Sequence, residues 1–352
     1  MYDLIVVGAG PAGSFAAFKS ATSGLKTLLI EREMLPRDKP CGGVVDGKTL
    51  SNLDKGVFDI VEAKGSSKEV LYNYHRIRTL DCEEYFFKRD RFDYFITKMA
   101  MDAGSEVIDS CPVTGVAAGP EGVAVQTPHM EHRGKMLIGA DGVYSLVGGS
   151  AGLTHDHKMK YAAIVADMKM DYSNLLGTGD YSQMHFFEDL IGFAWMIPNR
   201  DSLNVGMGAT MRKSSGLRRK FDTFCKKIGI RTPKVLGHMI PYTVLDKFQA
   251  GRILLVGDAA GFVNPWTGGG IATGIYSAQM AVETCLDMIS SDDFTEEASQ
   301  AYPRRCRSVI RNLKFRTRLI RVLDETTPAD FELPVIAEPV VRRLCGMASL
   351  RL

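Results

Sequence analysis

A chain of 352 residues, 45% hydrophobic and 24% charged, has room for roughly two domains, each with a core of its own. Lys and Arg total 43 against 41 for Asp and Glu, and the resulting net charge of +2 gives no global argument for a nucleic-acid partner. Seven cysteines argue against a disulfide framework, and no CxxC pair points to a metal site, so a reducing cytoplasm is the expected setting.

In chain order, Leu4–Val7 reads as a buried strand and not as a secretion signal. Asp3 precedes it, no Lys or Arg does, and glycines end it within four residues. It enters Gly8-Ala9-Gly10-Pro11-Ala12-Gly13, after which a helix is expected to about Ser23 and a second strand over Thr27–Ile30, stopping at Glu31. A charged loop rich in Pro and Gly follows from Met34 to Gly43, then mixed short strands over 66–90. Arg91–Gly104 places Phe92, Phe95 and Met99 at helical spacing and closes on a glycine. Val107–Val116 and Val123–Thr127 are expected to form a hairpin, and Met136–Ile138 a buried strand running into Gly139-Ala140-Asp141-Gly142. From about Tyr161 to Gly208 the pattern is β-rich. Arg252–Val256 returns to the parallel-strand type ahead of Gly257-Asp258-Ala259-Ala260-Gly261, and a long helix is expected from near Gly268. The last fifty residues read as mostly helical and locally basic. No stretch is apolar for long enough to span a bilayer.

Three glycine motifs so far apart imply one domain assembled from separate pieces. The expectation is an α/β fold: a discontinuous dinucleotide-binding domain over 1–150 and 245–290, an inserted antiparallel substrate domain over 151–244, and a helical segment over 291–352. Gly8 permits the tight turn, Gly10 lets backbone approach a pyrophosphate, and Gly13 lets the helix sit close to the sheet. The amides around Ala12 face phosphate charge. Glu31, followed by Arg32, ends the second strand where a carboxylate can accept ribose hydroxyls. This first motif does not separate FAD from NAD; the others favour FAD. Asp258 after Gly257 suits a ribityl hydroxyl. The run Gly268-Gly269-Gly270-Ile271 lets backbone lie against an isoalloxazine ring, with a helix N-terminus toward it. Asp141-Gly142 is a weaker companion. Arg89 fits either a phosphate or ribityl role, or the plain start of a helix stabilised by Asp93.

Taken in this order, the motifs resemble the glutathione-reductase-type flavoproteins of the p-hydroxybenzoate hydroxylase structural class. More narrowly, Pro36-Arg37-Asp38-Lys39-Pro40-Cys41-Gly42-Gly43, Arg89-Asp90-Arg91-Phe92-Asp93 and Gly257–Ile271 resemble segments of the geranylgeranyl reductase family. Phe193-Ala194-Trp195-Met196-Ile197-Pro198, then Gly206-Met207-Gly208, resembles that family's substrate-cavity motif, with Ile197 where Phe is usual. The resemblance implies FAD-dependent saturation of isolated C=C bonds in prenyl chains of lipids. It implies a catalytic Cys41-Gly42-Gly43 loop, of which Cys41 and Gly42 also touch the flavin. It further implies substrate contacts from Phe193, Trp195, Ile197, Pro198, Gly206 and Gly208, with Met207 among the tunnel residues.

Other readings stay open. Cys41 is also readable as a small filler in a glycine turn, and Trp195 as a core aromatic. The x-W-x-I-P pattern occurs in flavin-dependent halogenases, and the cofactor motifs also fit a monooxygenase or an electron-transfer flavoprotein–quinone oxidoreductase-like protein. No second dinucleotide motif is present, so ferredoxin or NAD(P)H is the expected electron donor. The basic segment Arg304–Arg321 suits either peripheral contact with a membrane or a solvated helix face.

Overall fold

The computed structural model describes residues 1–156, 158–176 and 181–326. The chain divides into two compact units, the first made of Met1–Asp38, Arg89–Asp156 and Pro241–Phe315. The sheet of this unit runs Gln249–Ala250, Ile253–Leu255, Glu131–Gly139, Tyr2–Val7, Thr27–Ile30, Glu106–Ile108. From Ile253–Leu255 to Glu106–Ile108 every neighbouring pair is parallel. Parallel strands are covered on both faces, so they read as unbroken apolar runs. Leu4, Ile5, Val6, Leu28 and Leu29 are accordingly fully buried. Helix Pro11–Thr22 packs against helices Arg89–Asp102 and Ile271–Ser290. Ser14 and Thr97 share a hydroxyl hydrogen bond of 2.8 Å in the first of these contacts.

Two local expectations change here. The hairpin from Val107 is split: Glu106–Ile108 pairs with Thr27–Ile30 in the parallel sheet, and only Gly115–Gly119 turns back on Gly122–Gln126. Ser110, at φ 51°, and Pro112 break the run between them. The long helix starts at Ile271 and not at Gly268. Gly268 has φ +65°, outside the helical region, and Asn264 closes the preceding loop. The Asn264 carbonyl accepts the Gly268 N–H at 2.9 Å, while its Oδ1 accepts the Trp266 N–H at 3.1 Å.

The second unit comprises Lys39–Lys88, His157–Ile240 and Arg316–Leu352. Its sheet runs Leu236–Pro241, Lys160–Lys169, Ser202–Thr210, Gly192–Pro198, Tyr181–Phe186, Ala63–Tyr72, His75–Phe86, Val44–Asp46. This division corrects the expected one. Residues 39–88 join the inserted sheet because Ala63–Tyr72 runs parallel beside Tyr181–Phe186. Residues 291–315 belong to the first unit, where the buried Tyr302 hydroxyl donates to the Leu255 carbonyl at 2.9 Å. The segment over 66–90 is not a set of short strands but one long hairpin followed by a helix from Arg89. Asn73 and Tyr74 both have positive φ in its two-residue turn, the geometry that matches strand twist. The stretch from 327 onward, expected to be helical, lies outside the described residues.

Helix Leu217–Lys227 covers one face of this sheet. Phe221 and Phe224 are fully buried there with Ala194, Met196, Val205, Met207 and Ala209. Side chains alternate along a strand, so Phe193, Trp195 and Ile197, with Asn204, Gly206 and Gly208 beside them, line the opposite face. Met207 therefore belongs to the helix-covered core, which corrects its expected place among the tunnel residues.

His185 also faces the covered side, with its ring 5.0 Å from that of Phe224. Its Nε2 meets Gln183 Oε1 at 3.0 Å, and its buried Nδ1 has no partner among the described residues. Burial pushes its pKa down to about 4. The neutral ring is the folded form, so its contribution is whole above pH ~6.5 and is lost as pH falls toward ~4. Thermal denaturation from pH 7 to 4 is expected to show a loss of up to about 3 kcal/mol from this group. His185→Leu should flatten that part of the profile; an unchanged slope would assign the acid loss elsewhere.

Candidate functional site

In the first unit the three glycine motifs and Glu31 follow neighbouring strands. Gly8 follows Tyr2–Val7, Glu31 follows Thr27–Ile30, Asp141 follows Glu131–Gly139, and Gly257 follows Ile253–Leu255. Because all four strands run the same way, all four segments emerge at the carboxyl edge of the sheet, where open α/β folds bind nucleotides. The order of these strands brings residues 8, 31, 141 and 257 together from across the chain.

The glycine turn has the shape a dinucleotide needs. Gly8 has φ +102°, and a Cβ there would lie 2.5 Å from the Ala140 carbonyl oxygen. A Cβ on Gly13 would lie 1.9 Å from the Gly8 oxygen, so the helix sits directly on the turn. Gly10 differs: a Cβ would meet only the Arg37 guanidinium, at 3.7 Å, leaving that face of the backbone open. The helical ladder begins with Ser14 N–H on the Gly10 carbonyl, so the amides of Ala12 and Gly13 precede it at the positive end of the helix. This open backbone face at a helix N-terminus fits an FAD pyrophosphate.

Charge around the turn is already organised. Buried Glu31 accepts the Ala9 N–H at 2.7 Å and the Glu33 N–H at 3.1 Å. Arg37 reaches both Glu31, at 3.5 Å, and Asp93, at 3.3 Å. Arg89 holds Asp93 through two hydrogen bonds of 2.7 and 2.8 Å. Arg32 is exposed and pairs with Glu33. Arg37 stands out only in the structure; in the sequence it is one letter of the Pro36–Gly43 segment, and nothing in the spacing separates it from Lys39.

Asp141 accepts the Ser145 hydroxyl at 2.6 Å and the Val147 N–H at 3.0 Å, anchoring the short helix Leu146–Ser150. Burial raises its carboxyl above the usual range, and those two donors oppose the rise. Beyond Gly257, at φ +57°, the Asp258 carboxylate lies 3.0 Å from where a Cβ on Gly270 would be. The last motif, Gly268-Gly269-Gly270-Ile271, thus adjoins Asp258 within one unit. His155, not singled out by sequence, braces this turn: its Nε2 lies 3.0 and 3.1 Å from the Asp258 and Ala259 carbonyls. Two carbonyl acceptors require the proton on that nitrogen.

The Cys41-Gly42-Gly43 loop belongs to the second unit, whereas the other cofactor-binding candidates belong to the first. Gly43, at φ +68°, has its Cβ direction filled by the Phe87 carbonyl at 2.0 Å, so only glycine suits the turn. Its N–H donates to the Cys41 Sγ at 3.4 Å. A Cβ on Gly42 would meet Ile197 Cδ1 at 2.8 Å and Trp195 Nε1 at 3.8 Å. The loop and the Phe193–Pro198 strand, assigned separate roles from the sequence, are thus packed together. Trp195 packs on Gly206, where a Cβ would come 2.1 Å from its ring, and the Phe193 ring is 5.9 Å from it. Pro198 pairs with Leu203 at the strand end, and Gly208 pairs with Phe193. Cys41 is half-buried, whereas Cys111, Cys225, Cys285 and Cys306 are buried. Burial pushes the Cys225 thiol up to about 11 and Cys306 to about 12, away from reactivity.

With this geometry in hand, relatives can be compared. A family model described as an FAD binding domain matches residues 1–204 and 239–316. The digeranylgeranylglycerophospholipid reductase of Methanococcus vannielii is 28% identical over 374 residues, covering 97% of this chain and 91% of the relative. A geranylgeranyl bacteriochlorophyll reductase-like protein from Thermoplasma acidophilum superposes with a TM-score of 0.81 at 23% identity, covering 99% of this chain and 96% of its own. The flavin-dependent halogenase CmlS gives 0.76 at 20% identity, covering 99% of this chain and 71% of the halogenase. At such identities the two solved structures speak for the fold alone. The family match and the open glycine cradle together lead to one statement: the chain belongs to the FAD binding domain family, uses FAD as its cofactor, and is an oxidoreductase similar to the geranylgeranyl reductases.

Proposed function

We propose that this protein saturates isolated C=C bonds in geranylgeranyl-type prenyl chains of lipids. The observation that carries the reading is the packing of the half-buried Cys41 loop against the apolar Phe193–Trp195–Ile197 face. An unactivated alkene offers no polar handle, so rate must come from holding the double bond in place and keeping water away. Aromatic and branched side chains on a rigid strand suit that task. Bound FAD, once reduced, supplies the hydride for one alkene carbon. Cys41 gives the proton to the other: its S–H bond breaks as a C–H bond forms, and water returns the proton to sulfur. The Gly43 N–H at Cys41 Sγ stabilises the negative charge left there.

Reducing equivalents come from ferredoxin or NAD(P)H in this reading. Helix Arg307–Thr326 supplies contact with an anionic lipid surface. Arg307, Arg311, Arg318 and Arg321 are exposed along it, as are Phe315 at 49% and Val322 at 55%. Among the described residues no helix is long and apolar enough to cross a membrane.

The test is anaerobic incubation of dithionite-reduced holoenzyme with a geranylgeranyl lipid, read by mass spectrometry. Each turnover should add the mass of two hydrogens. The halogenase or monooxygenase reading, which the Trp195-Met196-Ile197-Pro198 run favours, instead requires rapid oxygen uptake stimulated by substrate, with double bonds retained. Quinone reduction that leaves prenyl chains untouched would mark an electron-transfer protein.

A further inference from the structure

Asn204 falls in the unassigned spacer between Pro198 and Gly206, yet it joins two of the pieces on which the proposed reaction depends. It is 2% exposed and stands on Ser202–Thr210, opposite Ile197 in the strand register. Its Oδ1 accepts the Trp195 indole N–H at 2.8 Å, and its Nδ2 donates to the Cys41 backbone carbonyl at 3.0 Å. The orientation of the amide is dictated by its partners, because an indole N–H can only donate and a backbone carbonyl can only accept. Only a side chain with one donor and one acceptor at this spacing satisfies both. Aspartate would lose the donor and leave a buried charge; leucine would lose both.

We infer that Asn204 is the positioning residue of the Cys41 loop, fixing the Cys41 carbonyl, and with it the direction of the thiol, to the indole of Trp195. The remaining contacts agree. Gly42 is pressed on Ile197 and Trp195 from one side, and Gly43 N–H holds the sulfur from within the loop. The Trp195 ring is in turn seated on Gly206, two residues beyond Asn204. The orientation of the thiol is therefore coupled to the same aromatic side chain that the proposed substrate surface uses. A prenyl chain pressing on Trp195 would act on Cys41 through one amide. Asn204 touches neither the reacting atoms nor the cofactor in this account; it acts through Cys41.

The inference rests on the reading of Cys41 as proton donor, so its test separates the two. In oxidised holoenzyme, iodoacetamide labelling of Cys41 is followed by peptide mapping, which distinguishes it from Cys82 and the buried thiols. Asn204→Leu, and independently Trp195→Phe, which keeps an aromatic ring but removes the N–H, are expected to change the labelling rate at least about fivefold, the scale of one buried hydrogen bond. The double variant should show less than the sum of the two effects, since both break one chain of contacts. In lipid turnover, Asn204→Leu should lower kcat with KM nearly constant, the split expected of a residue that acts through Cys41. Labelling rates within about twofold of the parent in both single variants, at parental FAD content, would overturn the inference, because that is less than one hydrogen bond. Altered labelling with unaltered lipid saturation would leave Asn204 as the anchor of the loop and remove Cys41 from the chemistry. Trp195→Phe is the milder change and keeps the test decisive if Asn204→Leu does not fold.

Discussion

Gly10→Val is expected to fold and to lose most of its affinity for FAD. The backbone at Gly10, φ −75° and ψ 176°, is ordinary extended geometry, and the nearest atom to a new Cβ is the Arg37 guanidinium at 3.7 Å. Valine in place of glycine at this N-cap costs no more than about 1 kcal/mol. Its methyl groups occupy the space through which backbone must approach a pyrophosphate. Affinity for FAD is therefore expected to drop at least about a hundredfold, or about 2.7 kcal/mol, while circular dichroism stays parental. Gly13→Val is the contrast. Its Cβ would sit 1.9 Å from the Gly8 carbonyl oxygen, so the helix must leave the turn and folding itself suffers. Desalting each variant after incubation with excess FAD and reading the yellow absorbance decides the matter; a fully yellow Gly10→Val would mean that the cradle is not where the dinucleotide lies.

Loss of the Cys41 thiol should cost lipid saturation and little else. A positioned proton donor contributes about a hundredfold or more to rate, so Cys41→Ala should lose at least that factor in kcat. Cys41→Ser keeps a weaker donor of similar size and should retain more activity than the alanine variant. FAD content should match the parent in both, because the substitutions leave the glycine turn, Glu31, Arg37 and Asp258 unchanged. If both variants saturate lipid at the parental rate, the loop is structural and its cysteine is a filler.

What the sequence disclosed follows from how local each cause is. The turn at Gly8, the helix after it and the strand ending at Glu31 are set by neighbours within thirty residues, and each stands where the letters place it. The fate of residues 39–88 is set by a partner more than a hundred residues away: Val70 pairs with Met184, and no local pattern announces that register. The same limit concealed the pairing of the strand expected from Val107, whose partner is Thr27–Ile30 and not the next apolar run. Arg37, His155 and Asn204 were missed for a related reason. Each acts through contacts between distant parts of the chain: Arg37 to Asp93, His155 to the carbonyls at 258 and 259, and Asn204 to Cys41. Met207 was misplaced by one strand position, because sequence alone gives the alternation of faces but not which face the helix covers.

The central claim is that electrons held on the flavin end in a carbon–carbon double bond. Photoreduced holoenzyme, free of dithionite and sealed from oxygen, is mixed with a geranylgeranyl lipid while the flavin absorbance is followed. The account requires the oxidised spectrum to return without oxygen, one flavin reoxidised for each double bond lost. A flavin that stays reduced until air is admitted, with the lipid recovered unchanged, would contradict it.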